Sequence, residues 1–153
     1  DFGIRFPSVR MYTTSPTRYA KQGDILMSVR APVGAVNIAN SDCCIGRGLS
    51  AINSMIGSIT YIYYVVHYLK VRFDNLNKAG TTFGSITKDE LFNLPVVVPS
   101  NDVIERFEVI CKPIFNKQME IGFEIESLDK QRNELLPLLM NGQASPNYDL
   151  SHD

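Results

Sequence analysis

The chain has 153 residues, of which 44% are apolar and 20% charged, and its formal net charge is −1 at pH 7. This composition is ordinary for a soluble protein with one domain, or with a smaller domain and an appendage, and it excludes a uniformly basic chain. The longest apolar run, residues 59–69, is too short and too polar to cross a bilayer, so we expect no membrane partner. The opening Asp1-Phe2-Gly3 lacks the features of a secretory signal, and without an initiator Met we expect a fragment or a processed chain.

The first third of the chain is predicted to contain short strands and frequent turns. Residues 1–20 include two prolines and scattered Ser and Thr, which predicts extended or loop structure. Turn signals rich in Gly, Pro, Asn and Asp then separate several runs of strand-forming residues. The predicted strands are residues 25–29, 35–39, 43–45 and 49–53.

Residues 58–77 fit either a strand or a helix by composition. Their Tyr, Ile and Val content favours a strand, but apolar residues recur at steps of three and four, as on one face of a helix. These apolar residues are Ile59, Ile62, Val66, Leu69 and Phe73. The length and the spacing together lead us to predict a helix.

A loop, a short helix and a short strand are predicted next. The sequence GTTFGSIT, residues 80–87, is predicted to be a loop because it contains two glycines. Thr87 and Glu90 have the spacing of a capping box, which predicts a helix that ends near Asn93. Residues 94–99 are predicted to form a strand at a sheet edge or a strand start, since their two prolines donate no hydrogen bond.

Residues 102–142 are predicted to form a long helical region with a coiled-coil repeat. Asp102 is predicted to cap it, because Asp102 and Glu105 repeat the capping-box spacing. Two series of positions alternate at steps of three and four over five heptads, and nine of the eleven positions are apolar. We call these eleven residues the helix seam: Ile104, Cys111, Gln118, Ile125, Arg132 and Leu139 in one series, and Phe107, Ile114, Ile121, Leu128 and Leu135 in the other.

The helix seam is predicted to pair with a partner helix. Forty helical residues would extend about 60 Å, which is more than a domain of about 100 residues covers by folding over them. Pro113 and Pro137 each remove one helical hydrogen bond, so we predict a kink or a split at Pro113 and a similar effect near the end, with Asn141-Gly142 as the stop. The predicted pairing residues are Ile114, Ile121, Ile125, Leu128, Arg132, Leu135 and Leu139. A polar seam residue such as Arg132 usually fixes register or partner choice.

Cys43 and Cys44 raise the question of a metal site or a reactive thiol. Zinc ligands are usually separated by two to four residues, whereas adjacent side chains in a strand point to opposite faces. A nucleophilic thiol needs a base, and His67, the only internal histidine, lies in the predicted apolar helix. Packing roles are therefore favoured over a metal site or a thiol enzyme. The odd count of three cysteines fits a reducing cytoplasm, which is the location we expect.

The basic residues of the strand-rich region are candidates for binding an anion. Residues 1–101 hold ten Lys and Arg against six Asp and Glu, while residues 102–141 hold five against eight. Gly46-Arg47-Gly48 lacks the third glycine and the following helix of a dinucleotide loop, so it predicts a bulge or a tight turn. Arg18, Lys21, Arg30 and Arg47 lie near predicted strand ends or turns, where arginine grips phosphates or reads guanine. On the residues alone, nucleic-acid binding ranks only slightly above protein binding, and solvated surface charge explains the balance equally well.

Three segments in order resemble one family, the specificity subunit of type I restriction-modification systems. The first is GDILMSVRAPVGAVNIANSDCCIGRGLSAI, residues 23–52, and the second is GTTFGSITKDELFNLPVVVP, residues 80–99. The third is LDKQRNELLPLLMNGQ, residues 128–143, which closes the long helix. Each segment is loose alone, but their order and spacing are fairly specific.

The resemblance implies an α+β fold, in which a β-rich target recognition domain with short helices precedes a long C-terminal coiled-coil helix. It divides the chain into a partial recognition domain at residues 1–101, a long spacer helix at 102–142 and a tail at 143–153. The N-terminal part of the family's recognition domain would be absent, as in a natural half-subunit, a recombined fragment or a trimmed chain.

The resemblance also implies a function and a set of partners. A family member reads one half of a split double-stranded DNA target with each recognition domain, and its helices act as a spacer and dock methyltransferase subunits. It has no catalysis and binds no cofactor of its own: S-adenosylmethionine, ATP and Mg are used by the methyltransferase and by the nuclease and translocase subunit. The partner helix would come from a second half-subunit or from a homodimer.

The resemblance is carried over to six candidate DNA-binding residues: Arg30, Arg47, Thr82, Ser85, Lys88 and Lys21. Arg30 and Arg47 lie in the first matched segment, and Lys88 is predicted to contact phosphate. A supporting role for GTTFGSIT, with its hydroxyls capping backbone groups, is weighed about evenly with DNA contact. Two other classes stay open: a coiled-coil interaction module that reads no DNA, and a small thiol enzyme that uses Cys43 or Cys44.

Overall fold

The computed structural model describes residues 2–9, 11–78 and 85–145 of the chain. In these ranges five strands precede three helices, which confirms the predicted α+β class. The strands are β1 (Tyr19–Ala20), β2 (Ile25–Ser28), β3 (Val36–Ile38), β4 (Cys43–Cys44) and β5 (Leu49–Ile52), and the helices are α1 (Ile59–Lys78), α2 (Lys88–Phe92) and α3 (Asn101–Met140). The chain divides into two compact units, Asp1–Asn116 and Lys117–Asp153, which we call the sheet unit and the distal unit. The division into three domains derived from the resemblance stays a prediction.

The strands of the sheet unit form two small antiparallel sheets. β2 is the centre of a three-stranded sheet with the order β3-β2-β5, and β1 pairs with β4. All four residues of β2 are buried, and Leu26 packs with Ala20 and Ala39 from outside its own strand. The four strands predicted between residues 25 and 53 are confirmed, and β1 lies at the end of the stretch that was predicted to be extended or loop structure.

Helix α1 confirms the prediction for residues 58–77. The Ser58 hydroxyl accepts a hydrogen bond from the Tyr61 amide (3.1 Å), as an N-cap does. Four of its described apolar residues are buried at steps of three and four, namely Tyr63, Val66, Leu69 and Phe73. Gly34, with φ +85°, packs so closely on α1 that an added Cβ would lie 2.9 Å from a carbon of Phe73.

Helix α2 forms as predicted, but the strand after it does not. Thr87 accepts a hydrogen bond from the Glu90 amide (3.2 Å), and the Glu90 carboxylate accepts one from the Thr87 amide (2.7 Å), which completes the capping box. Residues 95–100 belong to no strand, so the strand predicted at 94–99 was wrong. Its two prolines have no N–H for a ladder, and the three valines at 96–98 are exposed.

Helix α3 differs from the prediction at its start and at Pro113. It begins at Asn101, and the Ser100 carbonyl accepts the first helical bond from the Ile104 amide (3.1 Å), so Ser100 takes the cap position predicted for Asp102. The helix runs unbroken through Pro113, so of the two predicted effects the split is wrong, and the kink stays a prediction. Pro113 is exposed, and the carbonyl left without a partner belongs to a solvent-facing turn.

The end of α3 confirms the predicted stop. The Gly142 amide donates to the Leu139 carbonyl (3.2 Å) and the Gln143 amide to the Leu138 carbonyl (2.9 Å), which is a Schellman motif. Gly142 has φ +69°, a conformation that glycine adopts at little cost.

The first turns of α3 pack against α1 within the sheet unit. Ile104 and Phe115 are each 7% exposed, and the Phe115 ring centre lies 5.2 Å from that of Tyr63. The Ser58 hydroxyl donates a hydrogen bond to Glu108, which joins the start of α1 to α3. The prediction that the whole seam needs a partner helix is therefore wrong for Ile104, which is buried within the unit, and for Phe107, which packs against Tyr61 of α1. Ile114 of the seam is 52% exposed, so for this residue the prediction stays open.

Candidate nucleic-acid interface

The turn between β4 and β5 presents Arg47 on the surface. The Leu49 amide donates to the Gly46 carbonyl (3.1 Å), which closes a four-residue turn with Arg47 and Gly48 at its centre. Arg47 is exposed. The tight turn predicted for this sequence is confirmed.

Arg30 lies beside this turn because β2 pairs with β5. The Val29 amide donates to the Gly48 carbonyl (2.9 Å), so the residue that follows, Arg30, is next to Gly48. A Cβ atom added to Gly48 would lie 3.8 Å from Cδ of Arg30. Arg30 is exposed, and its guanidinium is accessible to a partner.

Arg18 reaches the same turn from β1. Pairing of β1 with β4 lets the Ile45 amide donate to the Arg18 carbonyl (3.0 Å), and the Arg18 guanidinium donates to the Gly46 carbonyl (3.4 Å). We call Arg18, Arg30 and Arg47 with their turn, Gly46–Leu49, the arginine turn. Within residues 2–9, 11–78 and 85–145, none of the three guanidinium groups has an ion-pair partner.

Ser85 is the third predicted site residue that the structure places at the arginine turn, after Arg30 and Arg47. Ser85 and Arg30 form an isolated antiparallel bridge, and the Ile86 amide donates to the Val29 carbonyl (2.9 Å). Ser85 is exposed, whereas Ile86 is buried and fixes the segment. The bridge therefore places Ser85 opposite Arg30 in the backbone pairing.

The other predicted DNA-binding residues lie elsewhere. Lys88 opens α2, and its Nζ lies 5.3 Å from the centre of the Phe92 ring. Lys21 precedes β2 at the end opposite Arg30, and its amide donates to the Asp24 carboxylate (2.8 Å). Thr82 lies outside the described residues. The structure thus groups Arg30, Arg47 and Ser85, and leaves their roles in DNA binding as predictions.

A cavity of about 270 Å³ lies next to the arginine turn. Most of its lining is apolar, and the residues are Phe2, Pro7, Leu26, Ser28, Arg30, Gly48 and Leu49. Its N-terminal wall, residues 2–7, is held by the Asn37 side chain, which accepts from the Gly3 amide (3.0 Å) and donates to the Gly3 carbonyl (3.1 Å). No local pattern in the sequence indicates this cavity, because the wall and the turn are far apart along the chain.

The two adjacent cysteines have different surroundings. Cys43 packs against the cluster of Ala20, Leu26 and Ala39, while Cys44 is exposed. Burial, and then the neighbouring Cys44 and two carboxylates, raise the pKa of the Cys43 thiol, which disfavours the reactive thiolate. Among the described residues no group of three or more His, Cys, Asp and Glu is arranged to hold a metal ion.

His67 belongs to a polar network on α1. Its Nε2 lies 2.9 Å from the Tyr63 hydroxyl, which also accepts a hydrogen bond from the Arg5 guanidinium (3.0 Å). Partial burial, and then the charges of Arg5 and Lys70, lower the pKa of His67. The ring is therefore engaged with Tyr63, an arrangement that suits structure more than catalysis.

The predicted pairing residues of the distal unit form an exposed apolar stripe on α3. Ile121, Leu128, Leu135 and Leu139 are between 43% and 56% exposed, and Ile125 is half-buried. Arg132 is bound within the helix, where its guanidinium lies 3.0 Å from the Asp129 carboxylate. Ile114, the first residue of the predicted interface, is 52% exposed and belongs to the sheet unit. Their role in pairing stays a prediction.

Comparison with protein families decides what kind of chain this is. Residues 12–136 match the family model described as the type I restriction modification DNA specificity domain. The chain belongs to this family. The match includes the arginine turn and almost all of α3.

Two relatives of the specificity-subunit family come from Methanocaldococcus jannaschii. The chain is 33% identical over 150 residues to a protein named as the type I restriction enzyme MjaX specificity subunit, a match that covers 94% of this chain and 34% of the relative. It is 24% identical over 144 residues to the type I restriction enzyme MjaIX specificity subunit, covering 94% of this chain and 32% of the relative. The chain thus spans about a third of the length of these relatives.

Solved structures in the specificity-subunit family share the fold. One belongs to a study of complex assembly and conformational transition of the type I R-M system, with 32% identity, a TM-score of 0.62, and coverage of 90% of this chain and 34% of that chain. The other is the HsdS subunit from Thermoanaerobacter tengcongensis, with 32% identity, a TM-score of 0.61, and coverage of 81% of this chain and 30% of that chain.

Among the described residues, no helix has both the length and the apolar character that crossing a membrane requires.

Proposed function

We propose that this chain is a DNA-recognition part of a type I restriction-modification complex and reads one half of a bipartite double-stranded DNA target. The observation that carries the proposal is the arginine turn, where Arg18, Arg30 and Arg47 surround one surface turn without ion-pair partners among the described residues. A duplex carries about one negative charge per 1.7 Å of its axis, so unpaired surface guanidinium groups attract it. Membership of the specificity family supports DNA as the anion.

In this proposal the long helix serves assembly. The exposed stripe of the distal unit, from Ile121 to Leu139, fits a partner helix from a second half-subunit or from a second copy of the chain. The helix would also scaffold methyltransferase subunits, and through the complex the nuclease and translocase subunit. Methylation and cleavage, with S-adenosylmethionine, ATP and Mg, would belong to those partners, and this chain would work beside them in the cytoplasm without catalysis of its own.

A second function, a coiled-coil interaction module without DNA reading, is favoured by the same exposed stripe considered alone. The two functions differ in what they require of the sheet unit. If the chain were only an interaction module, the three arginines at one turn would have no function in binding. DNA reading requires that their positive charge contribute to affinity.

Salt-dependent DNA binding by the chain, assembled with its methyltransferase partner, separates the two functions. We expect the double variant Arg30→Glu/Arg47→Glu to bind duplex DNA at least about 30-fold more weakly in fluorescence anisotropy, since each good arginine contact contributes about 1–3 kcal/mol. The slope of log affinity against log salt should also become shallower by about one unit for each phosphate that the variant no longer neutralises. Lys112→Glu is the matched control, because Lys112 is exposed on α3, and it should retain most of the affinity. Equal affinity of the double variant and the control would refute DNA reading by the arginine turn.

A further inference from the structure

The lining of the cavity beside the arginine turn is suited to an apolar group. Phe2, Pro7, Leu26 and Leu49 provide carbon surface, and the Ser28 hydroxyl donates to the Arg30 carbonyl (2.7 Å). Among the described residues, every buried side-chain nitrogen and oxygen has a hydrogen-bond partner. The cavity therefore offers an occupant apolar contact and one cationic group, Arg30, but no unpaired buried polar atom.

The cavity exists before any ligand binds, because its N-terminal wall is fixed by the sheet. The Ile38 amide donates to the Arg5 carbonyl (3.0 Å), and Phe6 is 5% exposed. Phe2 and Pro7 form an antiparallel bridge that closes the segment on itself. A wall held at both ends loses little entropy when an occupant enters.

Charge complementarity selects the kind of occupant. The cavity shares Arg30 and Gly48 with the arginine turn, so an occupant that belongs to an anionic molecule would place negative charge beside the Arg30 guanidinium and next to the turn that carries Arg18 and Arg47. Duplex DNA meets this condition, and its major groove presents one apolar group, the C5-methyl of thymine. Arginine at the same place reads the O6 and N7 atoms of guanine or grips a phosphate.

We propose that this cavity receives the C5-methyl group of one thymine in the DNA half-site, with Arg30 bound to a neighbouring guanine or phosphate. This inference rests on the proposed function and adds a specific subsite to it. It makes Phe2, Leu49 and Gly48 determinants of sequence preference, although none of them is charged. It also gives the N-terminal segment, residues 2–7, a direct part in reading.

Replacement of thymine by deoxyuridine tests the subsite, because it removes only the methyl group. Duplexes are enriched from a randomised pool by the chain assembled with its methyltransferase partner. Each thymine of the enriched sequence is then replaced singly, and affinity is measured at fixed salt. We expect one position at which deoxyuridine weakens binding about fourfold, as the loss of one buried methyl group predicts.

Two variants locate the effect. Gly48→Ala adds a methyl group to the lining of the cavity, 3.8 Å from Arg30 Cδ, and should reduce the preference for thymine over deoxyuridine. Lys112→Ala is the control, because Lys112 is exposed on α3 and belongs neither to the cavity nor to the arginine turn, and it should keep the preference. Thermal melting of both variants checks that the fold is intact.

The outcomes separate this inference from the function on which it rests. If no sequence is enriched, DNA reading itself fails and the subsite fails with it. If a sequence is enriched but contains no thymine, or tolerates deoxyuridine everywhere, only the methyl subsite is overturned. The position of the subsite is likewise overturned if folded Gly48→Ala keeps the full preference. The series with the unaltered protein tests the methyl subsite even if a variant does not fold.

Discussion

Two parts of α3 carry the same apolar repeat but are covered differently. From Asn101 to Asn116, Ile104 of the repeat is 7% exposed and Phe107 is half-buried against the Tyr61 ring of α1, whereas Ile114 is 52% exposed. Phe115, which lies outside the repeat, is also buried against α1. From Lys117 to Met140, the apolar residues of the stripe include Leu128 and Leu135, which are 56% and 52% exposed. One repeat therefore stabilises the sheet unit in its first part, and in its second part leaves apolar surface for a partner.

The charges of the distal part sharpen this contrast. Lys117 lies 2.8 Å from the Glu120 carboxylate, Lys130 lies 4.0 Å from that of Glu134, and Arg132 binds Asp129. Exposed ion pairs of this kind contribute little to stability, but they pair these charged side chains with neighbours on the same helix. The apolar stripe is therefore the feature of the distal part that best fits a partner helix. At the arginine turn the reverse holds, because its charges have no ion-pair partner among the described residues.

The largest expected effect comes from placing charge in the distal stripe. Leu128→Lys/Leu135→Lys should weaken helix pairing about a thousandfold, because each leucine loses about 2 kcal/mol of apolar burial in the paired state. Sedimentation equilibrium measures the association, and thermal melting of the sheet unit should be unchanged. Gln131→Lys, at an exposed polar position of the same helix, is the control. Unchanged association of the double variant would show that the stripe is not the pairing surface.

In the proximal part of α3, residues 101–116, a substitution in the apolar contact with α1 should lower stability and leave association unchanged. Phe115→Ala leaves a cavity beside Tyr63 and should lower the free energy of unfolding by about 3 kcal/mol in urea titration. Val109→Ala, at a residue 77% exposed on the same helix, should change it little. If the two variants were equally stable, or if Phe115→Ala acted mainly on association, the division of α3 into a covered and an uncovered part would be wrong.

A smaller effect is expected from acid, through the network of Tyr63 that also supports the proximal part. The pKa of His67 is below its ordinary value of 6.5 in the folded protein, so the unfolded chain binds the proton more readily. The stabilisation that neutral His67 contributes to the folded protein is fully present above pH 6.5. It is lost as the pH falls through the lower pKa that His67 has in the folded state. The free energy of unfolding should therefore decrease between pH 7.5 and pH 5.5, and His67→Gln should make this decrease smaller. His152→Gln, which alters the other histidine of the chain, should not, and an identical pH slope in both variants would exclude His67 as the cause.

Local patterns predicted most of the fold. The strands at β2 and β3, helix α1 and the Thr87 capping box follow from short-range signals, and so does the stop at Gly142. The errors arose where tertiary contacts decide. Residues 94–99 have strand-forming valines but no ladder, and Pro113 is tolerated because its turn faces solvent.

The burial of Phe115 and the assembly of the arginine turn could not be predicted from the sequence for the same reason. Phe115 lies outside the helix seam and is buried because α1 packs on that side of α3. Arg18, Arg30 and Arg47 are all candidates for binding an anion because of their places near turns, but their meeting at one turn is not predicted. Only the pairing of β1 with β4 brings Arg18 to Gly46. Non-local pairing of short strands has no strong local signal.

The most direct test of the account asks whether the arginine turn reads bases while the distal helix only assembles. Sequence motifs are obtained by enrichment from a randomised duplex pool with the chain and its methyltransferase partner, for the unaltered protein and for Arg30→Ala/Arg47→Ala. We expect one half-site motif for the unaltered protein and relaxed preference at one or more of its positions for the variant, since base contacts specify the sequence and phosphate contacts only position the protein. An identical motif from the variant would contradict the claim that this turn reads DNA.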